Sequence, residues 1–449
     1  MSGLPLARGE TRRLRILLIA YSYPPEPIIG ALRPASFARW LPEFGIDSLV
    51  LARSLPRKLL DQPRPPWAPV FEVPSFEIDA PEVLRVWARS RRTATSNETA
   101  PRTRRLSLRS FWGALPGWRE RVLHSIWFPD VAAPWYLPAV SMAKQIVRQE
   151  DIDLLFSTSP PGTAHLVAAA VKRETGRPWI ADYRDAWSDN PYQRPRLVPF
   201  LDRMQERLER SALAAADRVV TTSGPYQRIL RSFLQRDVEV IYNGFEVEDM
   251  QLAGPVPVLP KFTISYTGEI SSLEVRDPTA LFQALQVMLS EEPDLGGELQ
   301  VRFLGESSRV LAPLVARYGV ASVVQLLPRV DRSAALRAQM ESHALLLIDT
   351  VPGARQVALS GKVFEYIATG KPILLLAPKS GAMAEFLAQQ EYPVMVGSTA
   401  AEVLQHLRWL RSVGWHAAPV SPEGLAHLQQ FTRRAQASRL AEICYGLVG

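Results

Sequence analysis

The chain has 449 residues, 47% of them hydrophobic and 22% charged, with a formal net charge of +7. This is the composition of a globular protein of two or three domains, which excludes wholesale disorder. The single cysteine, Cys444, excludes a disulfide framework and a cysteine-rich zinc site within one chain, and the histidines lack the HExxH spacing of zinc hydrolases.

The first half of the sequence alternates short apolar runs with helical patterns. The run 15–20, apolar from Ile16 onward, suits a parallel strand buried on both faces; a helical pattern follows at 35–41, and 48–52 predicts a second strand. Residues of about 54–135, rich in Pro, Arg and Trp, break the alternation. It then resumes with predicted strands at 154–157, 178–182, 218–221 and 238–241, and predicted helices at 137–149, 163–174, 198–215 and 225–234.

A second alternating series follows a turn-like Asn243-Gly244 and a proline-containing linker at 254–260. It predicts strands at 262–266, 299–304, 323–327, 344–348 and 372–376, helices at 278–290, 308–318, 332–341, 360–369 and 381–388, and a mostly helical tail from about 399. Two such series predict an α/β fold of two doubly wound, Rossmann-like domains facing a cleft, with ligands at the carboxyl ends of the strands. The predicted boundaries are 1–245, 246–425 and a tail of 426–449 that could pack back on the N-terminal domain.

The motif that carries most chemistry lies at 360–374. Ser360 is a candidate N-cap, and Gly361 lets a ligand approach the backbone at a helix N-terminus, where free N–H groups attract a phosphate. Lys362 adds a positive charge there, and Glu365 lies on the same helical face, where its carboxylate could accept hydrogen bonds from a vicinal diol such as a ribose. The alternative is a solvated Lys–Glu pair on an amphipathic helix.

The run Glu-Tyr-Ile-Ala-Thr-Gly-Lys-Pro from Glu365 to Pro372 resembles a motif of the GT-B glycosyltransferases. It is similar to the retaining, group-1 or family-4-like group of sucrose synthases and of bacterial capsule and lipopolysaccharide transferases. The resemblance implies the GT-B architecture, a ribose-binding Glu365 and a diphosphate-binding Lys362 with Gly361. Val357 stands where the family has a first Glu that contacts the donor sugar.

The loops after the two opening strands also resemble the family. Gly30 and Gly268 correspond to loop glycines near the donor diphosphate, although Gly30 could equally be a simple turn glycine. Glu269 stands where the family often has an Arg, and Arg276 is a candidate substitute. Arg33 could reach an anion from the first helix, but an exposed helical arginine is the commoner case.

A charged sequence follows one strand of the first half. Asp182, Arg184 and Asp185 belong to an Asp-x-Arg-Asp-x-Trp element that resembles one subset of these transferases, and we take them as candidate catalytic residues. The alternative is a self-satisfied Asp–Arg cluster that shapes the loop. Ser159, at the end of the preceding strand, and His165, at the start of the next helix, are further candidates, although a lone histidine is more often structural.

The positive charge is concentrated in one segment. Residues 84–125 contain ten Arg, no Lys and two Glu, interleaved with Trp and Phe. This composition suits an anionic membrane surface, a solvated disordered loop or single-stranded nucleic acid, and we expect no nucleic-acid partner because the remaining sequence is close to neutral.

We therefore expect a hexosyltransferase-type enzyme that moves a sugar from a UDP- or GDP-linked donor to a glycan or lipid-linked acceptor in cell-surface polysaccharide synthesis. Retention of configuration follows from the resemblance; no cofactor or metal site is expected. Alternatives are a sugar-nucleotide epimerase on the same fold and a catalytically weak binding or scaffold protein. The apolar stretch 16–20 is too short for a signal peptide or membrane span, which predicts a cytoplasmic protein that could bind the inner membrane face peripherally.

Overall fold

The structure, a computed structural model, describes residues 12–26, 28–55, 62–75, 128–185, 187–188, 199–253, 256–274, 276–350, 359–415 and 420–449. The chain divides into two compact units. The first comprises Met1–Thr221, Leu230–Glu239 and Ala441–Gly449, and the second comprises Thr222–Ile229 and Val240–Leu440.

The first unit is built on a seven-stranded sheet. Its strands are β1 (Leu14–Ile19), β2 (Ile46–Arg53), β3 (Val70–Val73), β4 (Leu154–Ser159), β5 (Trp179–Tyr183), β6 (Arg218–Thr221) and β7 (Glu239–Val240), in the order β3-β2-β1-β4-β5-β6-β7. The pairs from β3 through β6 are parallel. Strand β4 is buried throughout and β1 is buried from Ile16 onward, as central strands of a parallel sheet should be.

The helices of the first half connect these strands. They are α1 (Ile29–Trp40), α2 (Tyr136–Gln149), α3 (Thr163–Thr175), α4 (Pro199–Ala214) and α5 (Gly224–Leu234). Helix α3 begins at Thr163, whose N–H and hydroxyl both donate to the Asp130 carboxylate, at 2.9 and 2.7 Å. This remote cap satisfies donors that a helix N-terminus otherwise leaves free.

The second unit is built on a six-stranded, wholly parallel sheet. Its strands are β8 (Phe262–Thr267), β9 (Leu299–Leu304), β10 (Val324–Leu327), β11 (Ala344–Ile348), β12 (Ile373–Leu376) and β13 (Val394–Gly397), in the order β10-β9-β8-β11-β12-β13. The helices are α6 (Val247–Ala253), α7 (Thr279–Glu291), α8 (Ser308–Tyr318), α9 (Arg332–Glu341), α10 (Gly361–Ala368), α11 (Ala382–Gln389), α12 (Ala400–Ser412), α13 (Pro422–Leu428) and α14 (Arg433–Val448). Apolar side chains of α7, α8 and α12 pack with the sheet on one face, and those of α10 and α11 pack on the other.

The structure confirms the predicted α/β class and the two doubly wound sheets. The predicted strand at 299–304 and the helices at 308–318 and 332–341 agree with β9, α8 and α9 to the residue. Two strands and one helix were missed, namely β3, β13 and α6. Segment 54–135, interpreted as an interruption of the alternation, thus contains the edge strand β3.

Candidate functional site

Each sheet has one point where its strand order reverses. In the second unit β8 leads outward through β9 to β10, whereas β11, paired with β8 on its other side, leads through β12 to β13. In the first unit the corresponding neighbours are β1 and β4. Ligands of open α/β sheets bind in the crevice at the carboxyl ends of the strands at such a switch point. Most of the candidate residues follow these four strands or their immediate neighbours.

Lys362 lies in the first turn of α10, at the switch point of the second unit. The Ser360 hydroxyl caps this helix by accepting from the Lys362 backbone N–H at 3.4 Å, as the sequence predicted. Lys362 Nζ donates to the Tyr266 hydroxyl at 2.9 Å and lies 4.2 Å from the centroid of the Tyr266 ring. Burial, reinforced by Arg276, lowers the pKa of Lys362 to about 7, while Glu365 acts in the opposite direction.

Gly268 makes room for this lysine. Its φ of +145° lies in a region that side-chain-bearing residues rarely adopt, and a Cβ built on it would overlap the Nζ and Cε of Lys362. The absence of a side chain at Gly268 therefore allows Lys362 to lie against the loop after β8.

Arg276 and Asp349 lie close to the same lysine. Arg276 Nη1 is 3.5 Å from the Glu269 carbonyl oxygen, which also accepts from the Tyr266 hydroxyl at 3.4 Å. Arg276 acts electrostatically on Lys362, Tyr266 and Asp349. Burial raises the pKa of Asp349 to about 6, and Arg276 opposes that rise. Sequence reasoning singled out Arg276 but missed Asp349 and Tyr266, although both stand at strand ends facing the predicted site.

Glu365 belongs to a charged cluster of the second unit. Its Oε1 accepts from Arg332 Nη1 at 2.8 Å, and Arg332 Nη2 donates to Asp249 at 2.5 Å. A second arginine, Arg433, lies 3.7 Å from Glu246 and interacts electrostatically with Glu365. Glu365 therefore forms its salt bridge with Arg332. The alternative considered from the sequence was a pair with Lys362, one turn earlier on α10.

Arg33 is buried, which corrects the expectation of an exposed helical arginine. Its guanidinium donates to Asp182 from Nη2 to Oδ1 at 2.8 Å and from Nε to Oδ2 and Oδ1 at 2.9 and 3.2 Å. Only 4% and 0% of the two side chains are exposed. Thr158 Oγ1 also donates to Asp182, at 2.7 Å. Asp182, a candidate catalytic residue, is thus the buried counter-ion of a residue on α1.

Arg184 joins the two loops at the switch point of the first unit. Its Nε donates to the Ser159 carbonyl at 2.7 Å, its Nη1 to the Gly30 carbonyl at 3.1 Å and its Nη2 to the Pro160 carbonyl at 3.3 Å. A Cβ on Gly30 would lie 3.3 Å from the Arg184 nitrogens, so Gly30 allows the guanidinium to approach. The arginine fixes the loop after β1 against the loop after β4.

The other three candidates of this unit lie around the same loops. Burial raises the pKa of Asp185, while Arg184 lowers it. Ser159 Oγ is buried and makes no hydrogen bond within the described part of the chain. His165 is buried in the first turn of α3; its Nδ1 is 2.7 Å from Ser157 Oγ, and burial lowers its pKa to about 4. His165 therefore belongs to the core of the unit.

Two further residues support the Asp-x-Arg-Asp-x-Trp loop. Trp187 packs against Gly162, where any Cβ would overlap the indole ring. Glu209 of α4 accepts from the Ser188 N–H at 3.1 Å, and burial raises its pKa to about 7. Nothing local in the sequence of α4 indicated this contact, because it depends on how the loop folds back on the helix.

Two predictions fall outside the described residues. Val357 lies in the segment 351–358, and the arginine-rich segment 84–125 lies within 76–127. Among the helices that the structure does describe, none is long and apolar enough to cross a bilayer. Within the same residues, no group of three or more His, Cys, Asp or Glu side chains is placed to hold a metal ion.

Comparisons with known proteins agree with the two-sheet fold. Residues 100–249 match the model of Glycosyltransferase Family 4. A glycosyltransferase from Rickettsia africae aligns with a TM-score of 0.64 at 12% identity, covering 98% of this chain and 99% of that one. HepE from Anabaena, solved with UDP, aligns with a TM-score of 0.62 at 16% identity, covering 97% of this chain and 100% of that one. Sucrose-phosphate synthase from Thermosynechococcus elongatus aligns with a TM-score of 0.60 at 14% identity, covering 97% of this chain and 99% of that one. No curated protein sequence matches.

The fold and the sequence match agree with the resemblance predicted from the sequence. The chain has the two-sheet GT-B fold, and its predicted resemblance to the family-4-like GT-B glycosyltransferases is confirmed. A Listeria monocytogenes protein described as a UDP-N-acetylglucosamine 2-epimerase is more distant, with a TM-score of 0.51 at 13% identity over 95% of each chain.

Proposed function

We propose that the chain transfers a hexosyl group from a UDP- or GDP-linked donor to a glycan or lipid-linked acceptor in cell-surface polysaccharide synthesis. The carrying observation is the arrangement around Lys362, with its amine beside Tyr266 at the N-terminus of α10, in the space left by Gly268 and within electrostatic reach of Arg276. A diphosphate at the switch point would meet two cations and the positive dipole end of α10.

The chemistry requires a stabilised leaving group. The bond between the anomeric carbon and the diphosphate oxygen breaks, the nucleoside diphosphate leaves, and an acceptor oxygen bonds to the anomeric carbon after losing its proton. Lys362, Arg276 and the backbone N–H groups of α10 supply positive charge where negative charge develops. This supports a metal-independent reaction. Retention of configuration is proposed from the family resemblance.

The donor contacts extend along α10. Glu365, one turn after Lys362, is 20% exposed at its side chain and offers a carboxylate to the ribose hydroxyls. HepE was solved with UDP, which makes uridine nucleotides the first donors to test.

The first unit is proposed to hold the acceptor. Asp182 and Arg184 act there as positioning residues, because the first is paired with Arg33 and the second binds three backbone carbonyls. Asp185 is the remaining carboxylate of the element, and its raised pKa suits a group that accepts a proton from an acceptor hydroxyl.

Calorimetry with UDP-glucose and GDP-mannose tests donor binding. We expect binding of one of them to weaken at least about tenfold in Lys362→Ala and Glu365→Ala, since each change removes a charged contact. Lys379→Ala is the matched control, because Lys379 is 73% exposed and pairs with Glu402. Binding that is unchanged in both site variants would refute the proposed donor site.

Product analysis distinguishes the reaction classes. Transfer predicts release of nucleoside diphosphate that depends on an acceptor and persists in EDTA. An epimerase would instead interconvert sugar nucleotides without acceptor, and a binding protein would do neither.

The arginine-rich segment 84–125 is proposed to bind anionic membranes peripherally at the inner face. Full-length chain and a variant lacking these residues should differ in pelleting with vesicles of 30% phosphatidylglycerol. Equal pelleting would remove the membrane proposal and leave the donor site unaffected.

A further inference from the structure

The carboxylate that is proposed to bind ribose is already held by an arginine. Arg332 is the first residue of α9, just after its N-cap Asp331, and its Nη1 donates to Glu365 Oε1 at 2.8 Å. The Nε and Nη2 of the same guanidinium donate to Asp249 Oδ2 at 3.2 and 2.5 Å. The planar guanidinium therefore bridges two carboxylates from different helices, which fixes it in one orientation.

The bridge leaves part of Glu365 accessible. The side chains of Glu365 and Asp249 are 20% and 22% exposed, and the hydrogen bond from Arg332 reaches Oε1 of Glu365. When a carboxylate is held through one oxygen, the lone pairs of its second oxygen point in a defined direction. A ribose hydroxyl would then meet an oriented acceptor whose rotamer freedom has already been lost.

The charge of the cluster gives Arg332 a second role. Glu365, Asp249 and nearby Glu246 are three carboxylates, and Arg332 and Arg433 are the two arginines among them. Removing Arg332 would leave Glu365 beside uncompensated carboxylates and close to the proposed diphosphate site. Glu365 would then repel the anionic donor that it is meant to bind.

We propose that Arg332 is the positioning residue for ribose recognition: it orients and neutralises Glu365, so that the chain distinguishes ribonucleotides from 2′-deoxyribonucleotides. This inference rests on the proposed function, and it adds a determinant on α9 that the sequence motif of α10 does not contain. Arg332 acts through Glu365 and needs no contact of its own with the nucleotide.

The test is the ratio of affinities for UDP and 2′-deoxy-UDP, measured by calorimetry on the full chain. The wild type should bind UDP about tenfold or more tighter than 2′-deoxy-UDP, because the deoxy form lacks one hydrogen bond to a charged group. Arg332→Ala should lower that ratio to below about threefold, and Arg332→Lys should restore part of it because it keeps the positive charge. Arg337→Ala, an exposed arginine on the same helix, is the matched control and should keep the wild-type ratio.

The outcomes separate the inference from the function on which it rests. If wild type binds UDP and Arg332→Ala keeps the full preference for ribose, the positioning role is wrong and the donor site stands. Equal affinity of wild type for both nucleotides also overturns the role. If wild type binds no nucleoside diphosphate, the proposed function fails as well. If Arg332→Ala does not fold, the affinity ratio of UDP to 2′-deoxy-UDP in Arg332→Lys tests the role instead, because a purely structural role would not change that ratio.

Discussion

Lys362 should make donor binding depend on pH in a range where an ordinary lysine does not titrate. Its pKa is lowered to about 7 by burial and by Arg276, so at pH 8 about one chain in ten carries the charge. A bound diphosphate favours the charged form and moves the pKa back toward the usual value of about 10.4. Binding at pH 8 should therefore take up about 0.9 proton, and the association constant should fall nearly tenfold per pH unit above about 7.5.

The assay is calorimetry with UDP-glucose, whose diphosphate does not titrate between pH 6.5 and 8.5. Titrations in phosphate and in Tris at pH 8 give the number of protons taken up, because the two buffers differ in ionisation enthalpy. Lys362→Arg should abolish the uptake, since an arginine stays charged. Tyr266→Phe removes an acceptor of the charged amine and should shift the affinity profile to lower pH. Uptake below about 0.2 proton in wild type would refute the reasoning.

Three variants test the packing around both switch points. Gly268→Ala should weaken UDP-glucose binding and lose about 1–3 kcal/mol of unfolding free energy in urea, because its Cβ overlaps Lys362 at a φ of +145°. Asp182→Asn should lose about 3–5 kcal/mol by the same measurement, since it breaks the buried pair with Arg33; activity lost at unchanged stability would instead show that Asp182 acts on substrate. Glu209 has a pKa of about 7 in the folded chain, so its contribution to the free energy of unfolding is lost as pH rises from about 5 to 7. Glu209→Gln should make the free energy of unfolding depend less on pH, as measured by urea unfolding at pH 5, 6 and 7.

Each of these variants has a matched control in the same chain. Gly297→Ala adds a Cβ that meets no atom within 4 Å. Asp237→Asn changes a carboxylate whose side chain is 97% exposed, and Glu206→Gln changes one that is 55% exposed on the same helix as Glu209. All three should stay within about 0.5 kcal/mol of wild type. Comparable losses in the controls would show that the effects are not specific to the site.

The sequence predicted all the central strands; of the four edge strands it predicted β7 and β10 and missed β3 and β13. A strand in the middle of a parallel sheet is buried on both faces, so continuous apolar runs mark residues 16–19 of β1, residues 154–156 of β4 and all of β11. The missed strands β3 and β13 lie at the ends of their sheets and have only four residues each. Their alternation is too short to stand out from a loop.

The candidate site was predicted where local spacing carries the chemistry. The spacing of these residues puts Ser360 and Lys362 at the N-terminus of a helix and Glu365 one turn after Lys362 on the same face. The structure has them at these positions of α10. The partners of these residues could not be predicted. Tyr266 and Arg332 are 96 and 33 residues distant from the groups they bind, and only the sheet order brings them together. Long-range pairing of this kind leaves no periodic signal in one sequence.

The electrostatics of the two switch points differ, which bears on where an anionic donor binds. In the first unit Arg33 and Arg184 face Asp182 and Asp185, so the formal charges cancel. In the second unit the two cations Lys362 and Arg276 face the single carboxylate of Asp349, and the N-terminus of α10 adds a positive dipole end. A diphosphate gains more from the second arrangement. Burial, reinforced by Arg276, depresses the pKa of Lys362 in the free chain, and a bound anion would offset both effects.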